Sequence, residues 1–336
     1  EAWAMAGLTQ KIYRTLRKVK CDLRRDVSCF TPALAVAHAL CDLPLRGPVF
    51  QPVGRWAAKR RDAAIFDYLD QNYGAFFETF ARQWTPPEKK ECSGPAPIWV
   101  CWLQGEEQAP KLVRRCIASI RKNANGHPVN LLTEENIGRY LSIPRGILQK
   151  YRHGAIGQAH FADIARMMLL KDYGGLWLDA TILCTKPVPD WYFQRSFFSC
   201  KGAVREGGYI SRYRWTSFVL GGMPEAYFYS LMTAFYLEYW KRENAAIDYL
   251  FMDYVIDAAY KRFPILRDEI DKLPENNLRR DDLAACMNEP FIQEKWDALM
   301  ASDTVLFKLS WRENYAEHTP TGEPTFYQYF LTEEKA

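Results

Sequence analysis

Apolar residues along this chain follow a helical spacing up to about residue 84 and switch to short, dense apolar runs from residue 98. In the first part, Leu8, Ile12, Leu16, Val19 and Leu23 recur every three or four residues, which predicts an amphipathic helix over 8–25. The segment 62-DAAIFDYLDQNYGAFFETFARQW-84 keeps the same spacing, with Gly74 as a point where the helix could break. Four prolines, a glycine and several charges then gather in 85-TPPEKKECSGPAP-97, the composition of a linker. Residues 1–90 are therefore expected to be a helical N-terminal extension.

Beyond the linker the pattern predicts an α/β domain. The run 98-IWVCWL-103 reads as a strand, 109-APKLVRRCIASIRKN-123 as an amphipathic helix with proline near its start, and 128-PVNLLT-133 as a second strand. Strand, helix, strand is the opening of a doubly wound sheet. Helical pieces are expected at 134–141 and 144–154, and the clearest helix at 159–175. There Phe161, Ile164, Ala165, Met168 and Leu169 form one apolar stripe, and Gly174 and Gly175 supply a left-handed stop. A strand over 176-LWLDATIL-183 follows, then strands at 196–200 and 215–222, helices at 225–244 and 246–263, and a last strand within 305–311. The expectation is a mixed, mostly parallel sheet spanning residues 97–312, with 313–336 as a tail.

Composition narrows the class. A 48% hydrophobic and 25% charged content is that of a folded globular protein. Aromatics at 15% serve either as core filling or as flat contact surfaces for sugars and bases. A net charge of +4 is too small for a nucleic-acid binder, yet Lys11, Arg14, Arg17, Lys18, Lys20, Arg24 and Arg25 crowd residues 8–25. That helix is either a solvated element packed on the body or a contact for an anionic membrane surface. No run approaches the roughly 20 apolar residues of a membrane span. The nine cysteines include no C-x-x-C pair, so neither a zinc knuckle nor a disulfide framework is supported. Reduced thiols and the lack of a signal-peptide pattern point to a cytoplasmic protein, peripheral on the membrane if the basic helix grips it. Phosphate-loop, dinucleotide-fold, zincin and G-x-S-x-G motifs are all missing.

The chemistry gathers around one costly residue. Asp179 sits among Leu176, Trp177, Leu178 and Ile182, where a carboxylate is expensive unless something pairs with it. Asp163 and Arg166 are three apart on the preceding helix and project side by side. As a surface ion pair they would contribute little, but Met167 and Leu170 flank them. Asp179 lies near the carboxyl end of its strand, the edge where open α/β sheets bind ligands. Two carboxylates and a guanidinium facing one crevice suit a polyhydroxylated ligand that carries phosphate.

The segment AHFADIARMMLLKDYGGLWLDAT resembles the sugar-binding D-x-D region of the glycosyltransferases grouped as family 32, and within them the capsular polysaccharide synthesis proteins. IWVCWLQG at 98–105, MDYVIDAAY at 252–260 and FKLSW at 307–311 carry the resemblance further. It implies a GT-A-type, Rossmann-like nucleotide-sugar-binding fold, a donor that is usually a UDP-sugar, transfer with retention, and a glycan or lipid-linked acceptor. It also implies that Trp102 stacks on the base and that Trp177 lines the nucleotide pocket. Asp163 and Arg166 would hold the donor sugar and orient the diphosphate, while Asp179 touches ribose and sugar. Thr181 stands where such proteins usually have their metal-binding aspartate, and a hydroxyl is a weak ligand for Mn²⁺ or Mg²⁺. If a metal binds, Asp179 carries it with Ser310, or more weakly with Glu313 or His318. If none binds, Arg166 and Lys308 are left to neutralise the diphosphate.

Other residues are weighed more simply. His153 and His160 lie near this region, and a histidine there is more often structural than functional. Asp253 and Asp257 stand one turn apart on an apolar helix, either in structural pairs or, for Asp253, lining an acceptor side. The series Tyr227, Phe228, Tyr229, Phe235, Tyr236, Tyr239 and Trp240 reads as core, and 205–215 as a loop near the acceptor. The competing function is a sugar-nucleotide or glycan binder that has lost metal and activity.

Overall fold

The computed structural model describes residues 23–42, 51–87, 94–207 and 209–332. Residues 8–22 of the basic helix, 88–93 of the linker and 333–336 of the tail lie outside the described residues; 23–29 are helical. The chain divides into two compact units, one built from residues 1–84, 145–160 and 235–262, the other from 85–144, 161–234 and 263–336.

The first unit is helical. Pro32–Cys41 (α1) starts on Thr31, whose hydroxyl accepts from the Leu34 amide at 3.2 Å, with Pro32 in the first turn where its missing N–H costs nothing. Gln51–Gln83 (α2) runs 33 residues, straight through Gly74, where a break had been conceivable. It buries Ile65, Leu69, Tyr73 and Phe77; Tyr73 meets Phe235 and Tyr239, and the Phe77 and Phe235 rings stack at 5.2 Å. The carboxylate of Glu243 accepts from both Tyr68 (2.6 Å) and Tyr73 (2.9 Å), so the two buried hydroxyls are not orphaned. Nearby, the His38 ring bridges Asp26 (2.8 Å) and Asp248 (3.4 Å), with Arg61 3.9 Å from Asp248 and 3.0 Å from Asp62. Burial alone would lower the His38 pKa, but hydrogen bonds to Asp248 and Asp26 outweigh it and raise it to about 9. Burial would raise Asp26 and Asp248, but their bonds to His38 dominate and hold both low.

The second unit carries the sheet. Ile98–Cys101 (β1), Lys111–Lys122 (α3) and Val129–Leu132 (β2) form the expected βαβ start, with β1 and β2 parallel. The segment 134–141 holds only a short 3₁₀ turn, Ile137–Arg139, because Asn136 folds back onto the Thr133 amide and the Leu131 carbonyl. The chain then passes through Arg145–Arg152 (α4), which belongs to the first unit, into Gln158–Tyr173 (α5), whose residues from Phe161 belong to the second. Gly175–Asp179 (β3) runs parallel to β1, pairing Cys101 with Asp179. The expected single strand over 176–183 is instead broken at Ala180 and Thr181. Ile182–Cys184 (β4) leaves for a second sheet with the late strand Leu306–Lys308 (β7). Phe198–Ser199 (β5) and Val219–Gly222 (β6) complete a five-stranded sheet of order β2-β1-β3-β6-β5. Both β3–β6 and β5–β6 are antiparallel, so the sheet is evenly mixed rather than mostly parallel. The chain re-enters beside β3 through the 200–218 loop, which returns it in the opposite sense. The described parts of this unit form an α/β fold, and the aromatic series from Tyr227 to Trp240 is buried, as expected of core.

The double glycine makes the helix-to-strand step possible. Gly174 and Gly175 have φ of +63° and +98°. A Cβ on Gly175 would lie 2.1 Å from the Pro97 carbonyl oxygen, which itself accepts from Leu176. A Cβ on Gly174 would come within 2.8 Å of the Gly222 oxygen. Only glycine fits both the dihedrals and the contacts.

Gly175→Ala is therefore expected to cost at least about 2 kcal/mol in urea unfolding, while Gly138→Ala, which meets open space, serves as the near-neutral control. His38 supplies a pH test. Its folded pKa is raised, so its contribution is complete below about 6.5 and is lost as pH rises through about 9. The unfolding free energy should fall by about 3 kcal/mol across that window. His38→Gln should flatten this slope whatever it does to the absolute value; an unchanged slope would place the titration elsewhere.

Candidate functional site

The strand order decides where the crevice lies. β1 connects to β2 on one side, and the chain then crosses to β3 on the other, so the β1/β3 boundary is a topological switch point. At its carboxyl edge stand Asp179, the last residue of β3, its register partner Cys101, and Trp102 just after β1. Burial pushes the Cys101 thiol up to about 12, so it stays protonated and is no nucleophile.

Arg166 is the centre of the site. Residues 164–170 of α5 are all buried, not only the predicted stripe, so this guanidinium is just 5% exposed. Its Nη2 lies 3.4 Å from Asp163 and 3.3 Å from Asp179, its Nη1 donates to the Ser217 carbonyl, and the group sits 4.7 Å over the Trp177 ring. Two carboxylates, a carbonyl and an indole face together offset a desolvation cost of several kcal/mol. Trp177 Nε1 also donates to Asp179 Oδ1 at 3.1 Å, fixing that carboxylate from below.

The other carboxylate oxygen faces a lysine. Lys308 Nζ is 3.3 Å from Asp179 Oδ2 and donates to Thr181 Oγ1 at 2.5 Å, with the Phe218 ring 5.3 Å away. The break in the expected strand produces this contact. β4 pairs Ile182 with Lys308 on β7, and Leu309 N donates to the Thr181 carbonyl at 3.0 Å. Asn277 anchors β7 by accepting from the Val305 and Leu306 amides, and the Arg280 carbonyl accepts from Lys308 N. Two carboxylates and two cations balance.

A metal implied by the resemblance meets a poor donor set. The ammonium already lies between Asp179 Oδ2 and Thr181 Oγ1, and Asp163 and Asp179 share Arg166. Among the described residues no group of three or more His, Cys, Asp or Glu side chains could hold an ion. Ser310, expected as a ligand, accepts at its Oγ from the Arg312 amide at 3.3 Å. The residues present do not fit a divalent ion.

Trp102 meets a partner that sequence reasoning passed over. Its ring is edge-on to Trp311 at 5.6 Å, and Trp311 is 46% exposed. Among the described residues Trp102 Nε1 is buried without an acceptor. The FKLSW stretch contained Trp311, but only the pairing of β7 with β4 gives it a role. Asp253 and His160 belong to the helical unit. Asp253 lies in the first turn of Phe251–Arg262 (α6), where Asp257 pairs with Lys261 at 2.7 Å, and His160 packs on Trp240 and Phe251. Among the described residues no helix is long and apolar enough to cross a membrane, and no cysteine there is paired with another.

The family model described as capsular polysaccharide synthesis protein matches residues 50–330. The chain belongs to that family. No curated protein matches it. Among solved structures it is similar to one titled PaToxG Glycosyltransferase, with 14% identity over 63% of this chain and 83% of that one, at a TM-score of 0.36. In this member of the capsular polysaccharide synthesis family, the Asp163–Arg166–Asp179 triad is a testable unit. Arg166→Met leaves two carboxylates facing a buried gap and should cost about 3 kcal/mol of stability. Adding Asp179→Asn should recover part of this, with a coupling of at least about 1 kcal/mol in a double-mutant cycle. Additive losses would show that the three groups act separately.

Proposed function

We propose that this protein is a glycosyltransferase that takes a sugar from a nucleotide-sugar donor, a UDP-sugar in the first instance, to a glycan or lipid-linked acceptor. The observation that carries the reading is the buried Arg166 holding Asp163 and Asp179 at the carboxyl edge of the β1/β3 switch point, in a chain of the capsular polysaccharide synthesis family. The two carboxylates accept from sugar and ribose hydroxyls, Arg166 locks their geometry, and Trp102 offers its face to the base. In the proposed step the acceptor oxygen bonds to the anomeric carbon as the bond from that carbon to the diphosphate oxygen breaks. The bonding pair leaves with the diphosphate, which takes the acceptor proton. The step uses no side-chain nucleophile, and the proposal is front-face transfer with retention in a GT-A-type domain. A cytoplasmic location and a membrane contact through residues 8–25 complete the proposal.

Asp179→Asn keeps the size of the side chain but removes the charge that Arg166 and Lys308 face. It should reduce sugar transfer from UDP-glucose, UDP-galactose or UDP-N-acetylhexosamine by at least about 100-fold while the circular dichroism spectrum persists. Unchanged turnover would remove Asp179 from the site. Donor-induced thermal stabilisation without turnover on any acceptor would favour the non-catalytic binder instead.

A further inference from the structure

We infer that Lys308 is a built-in replacement for the divalent ion: a tethered ammonium that meets the donor diphosphate, so that nucleotide binding needs no metal. This rests on the nucleotide-sugar reading above and adds the identity of the cation. Four observations carry it. First, the ammonium lies between the side chains of Asp179 and Thr181, the two outer positions of the D-A-T stretch, at 3.3 and 2.5 Å. Second, Thr181 suits this partner. A hydroxyl accepts readily from an ammonium, whereas it is a weak ligand for a hard divalent ion. Third, the ammonium is positioned rather than loose. Lys308 is paired with Ile182, its amide donates to the Arg280 carbonyl at 2.7 Å, and Leu309 N reaches the Thr181 carbonyl. Its side chain is 27% exposed, so it is anchored yet still reachable. Fourth, the carboxylate charge a metal would need is committed, with Asp179 shared between Arg166 and Lys308.

The chemistry follows from counting donors. A lysine ammonium has three N–H bonds; Asp179 and Thr181 take two, which leaves one for a phosphate oxygen. One charge-assisted hydrogen bond from a fixed site replaces part of what an ion would supply, and it needs no ion to be recruited. Thr181 is then a positioning residue: it aims the ammonium and touches no substrate.

Calorimetric titration of the full chain with UDP, GDP and CDP, in EDTA and again in Mn²⁺, tests this. At least one nucleotide should bind in EDTA, and Mn²⁺ should change its Kd by no more than about threefold, below the tenfold equivalent to 1.4 kcal/mol. Lys308→Met should weaken that binding by about 10- to 100-fold, the loss of one charged hydrogen bond. Lys308→Arg should retain most of the affinity and shows that the fold tolerates change there. The double variant Thr181→Asp, Lys308→Ser should become metal-dependent, binding in Mn²⁺ but not in EDTA. Binding of wild type only in Mn²⁺, or unaltered binding by Lys308→Met, overturns the inference and leaves the transferase reading standing. Failure of all three nucleotides in both conditions overturns the nucleotide-sugar reading and the inference with it.

Discussion

Arg166 is only 5% exposed, and a charge so enclosed needs partners, which the second unit is arranged to supply. A helix delivers it next to Asp163, a strand delivers Asp179, a loop delivers the Ser217 carbonyl, and Trp177 lies under it. Remove any one of these and a charge taken out of water loses a partner it was folded around. The constraint therefore runs from Arg166 outward. The helix must stop at residue 173, the chain must turn within two residues, and β3 must enter beside β1 at one register only. Gly174 and Gly175 are the means, since a Cβ on Gly175 would meet the Pro97 oxygen at 2.1 Å.

The same logic explains why Asp179 is tolerated among apolar neighbours. Each of its oxygens has its own cation, Arg166 on one side and Lys308 on the other, and Trp177 donates to the first. Lys308 arrives from 129 residues further along the chain, as the partner of a strand that exists only because the chain breaks at Ala180 and Thr181. The break looks like a defect in the first sheet, yet it opens the second one. That second sheet carries both Lys308 and, through the residues that follow, Trp311 opposite Trp102.

What could be read from the sequence was what local spacing encodes. The βαβ start, the α5 helix, the two glycines and the neighbourhood of Asp163, Arg166, Trp177 and Asp179 all lie within short stretches whose period or dihedral demands are visible. The even mixture of parallel and antiparallel pairing was not visible. A strand such as 219–222 has the same apolar character whichever way it runs, and direction is set by the loop before it. The 176–183 run hid its break for a related reason: Ile182, Leu183 and Cys184 are as buried as β3 itself, only against a different partner. The FKLSW motif alone points to Lys308 as a cation for the diphosphate. Its place beside Thr181 depends on a register between distant segments, which no local pattern carries. The burial of α5 beyond its stripe was missed because Arg166 breaks the apolar pattern where the site needs it.

Charge balance then separates what holds this site together from what it offers a ligand. Asp163, Asp179, Arg166 and Lys308 sum to zero, so the crevice has no strong field of its own to draw in an anion from a distance. Arg166 is almost fully enclosed, and its role is to hold the carboxylates. Lys308 and Asp179, at 27% and 30% side-chain exposure, are the members a ligand can reach. On the proposed reading, recognition comes from short-range geometry, in which a hydroxyl donates to Asp179 while a phosphate oxygen accepts from Lys308. A ligand with both groups at the right separation satisfies the pair together; inorganic phosphate or a neutral sugar satisfies half of it and disturbs the ion pair for less return. Under the proposed function, that asymmetry favours a sugar joined to phosphate over either part alone.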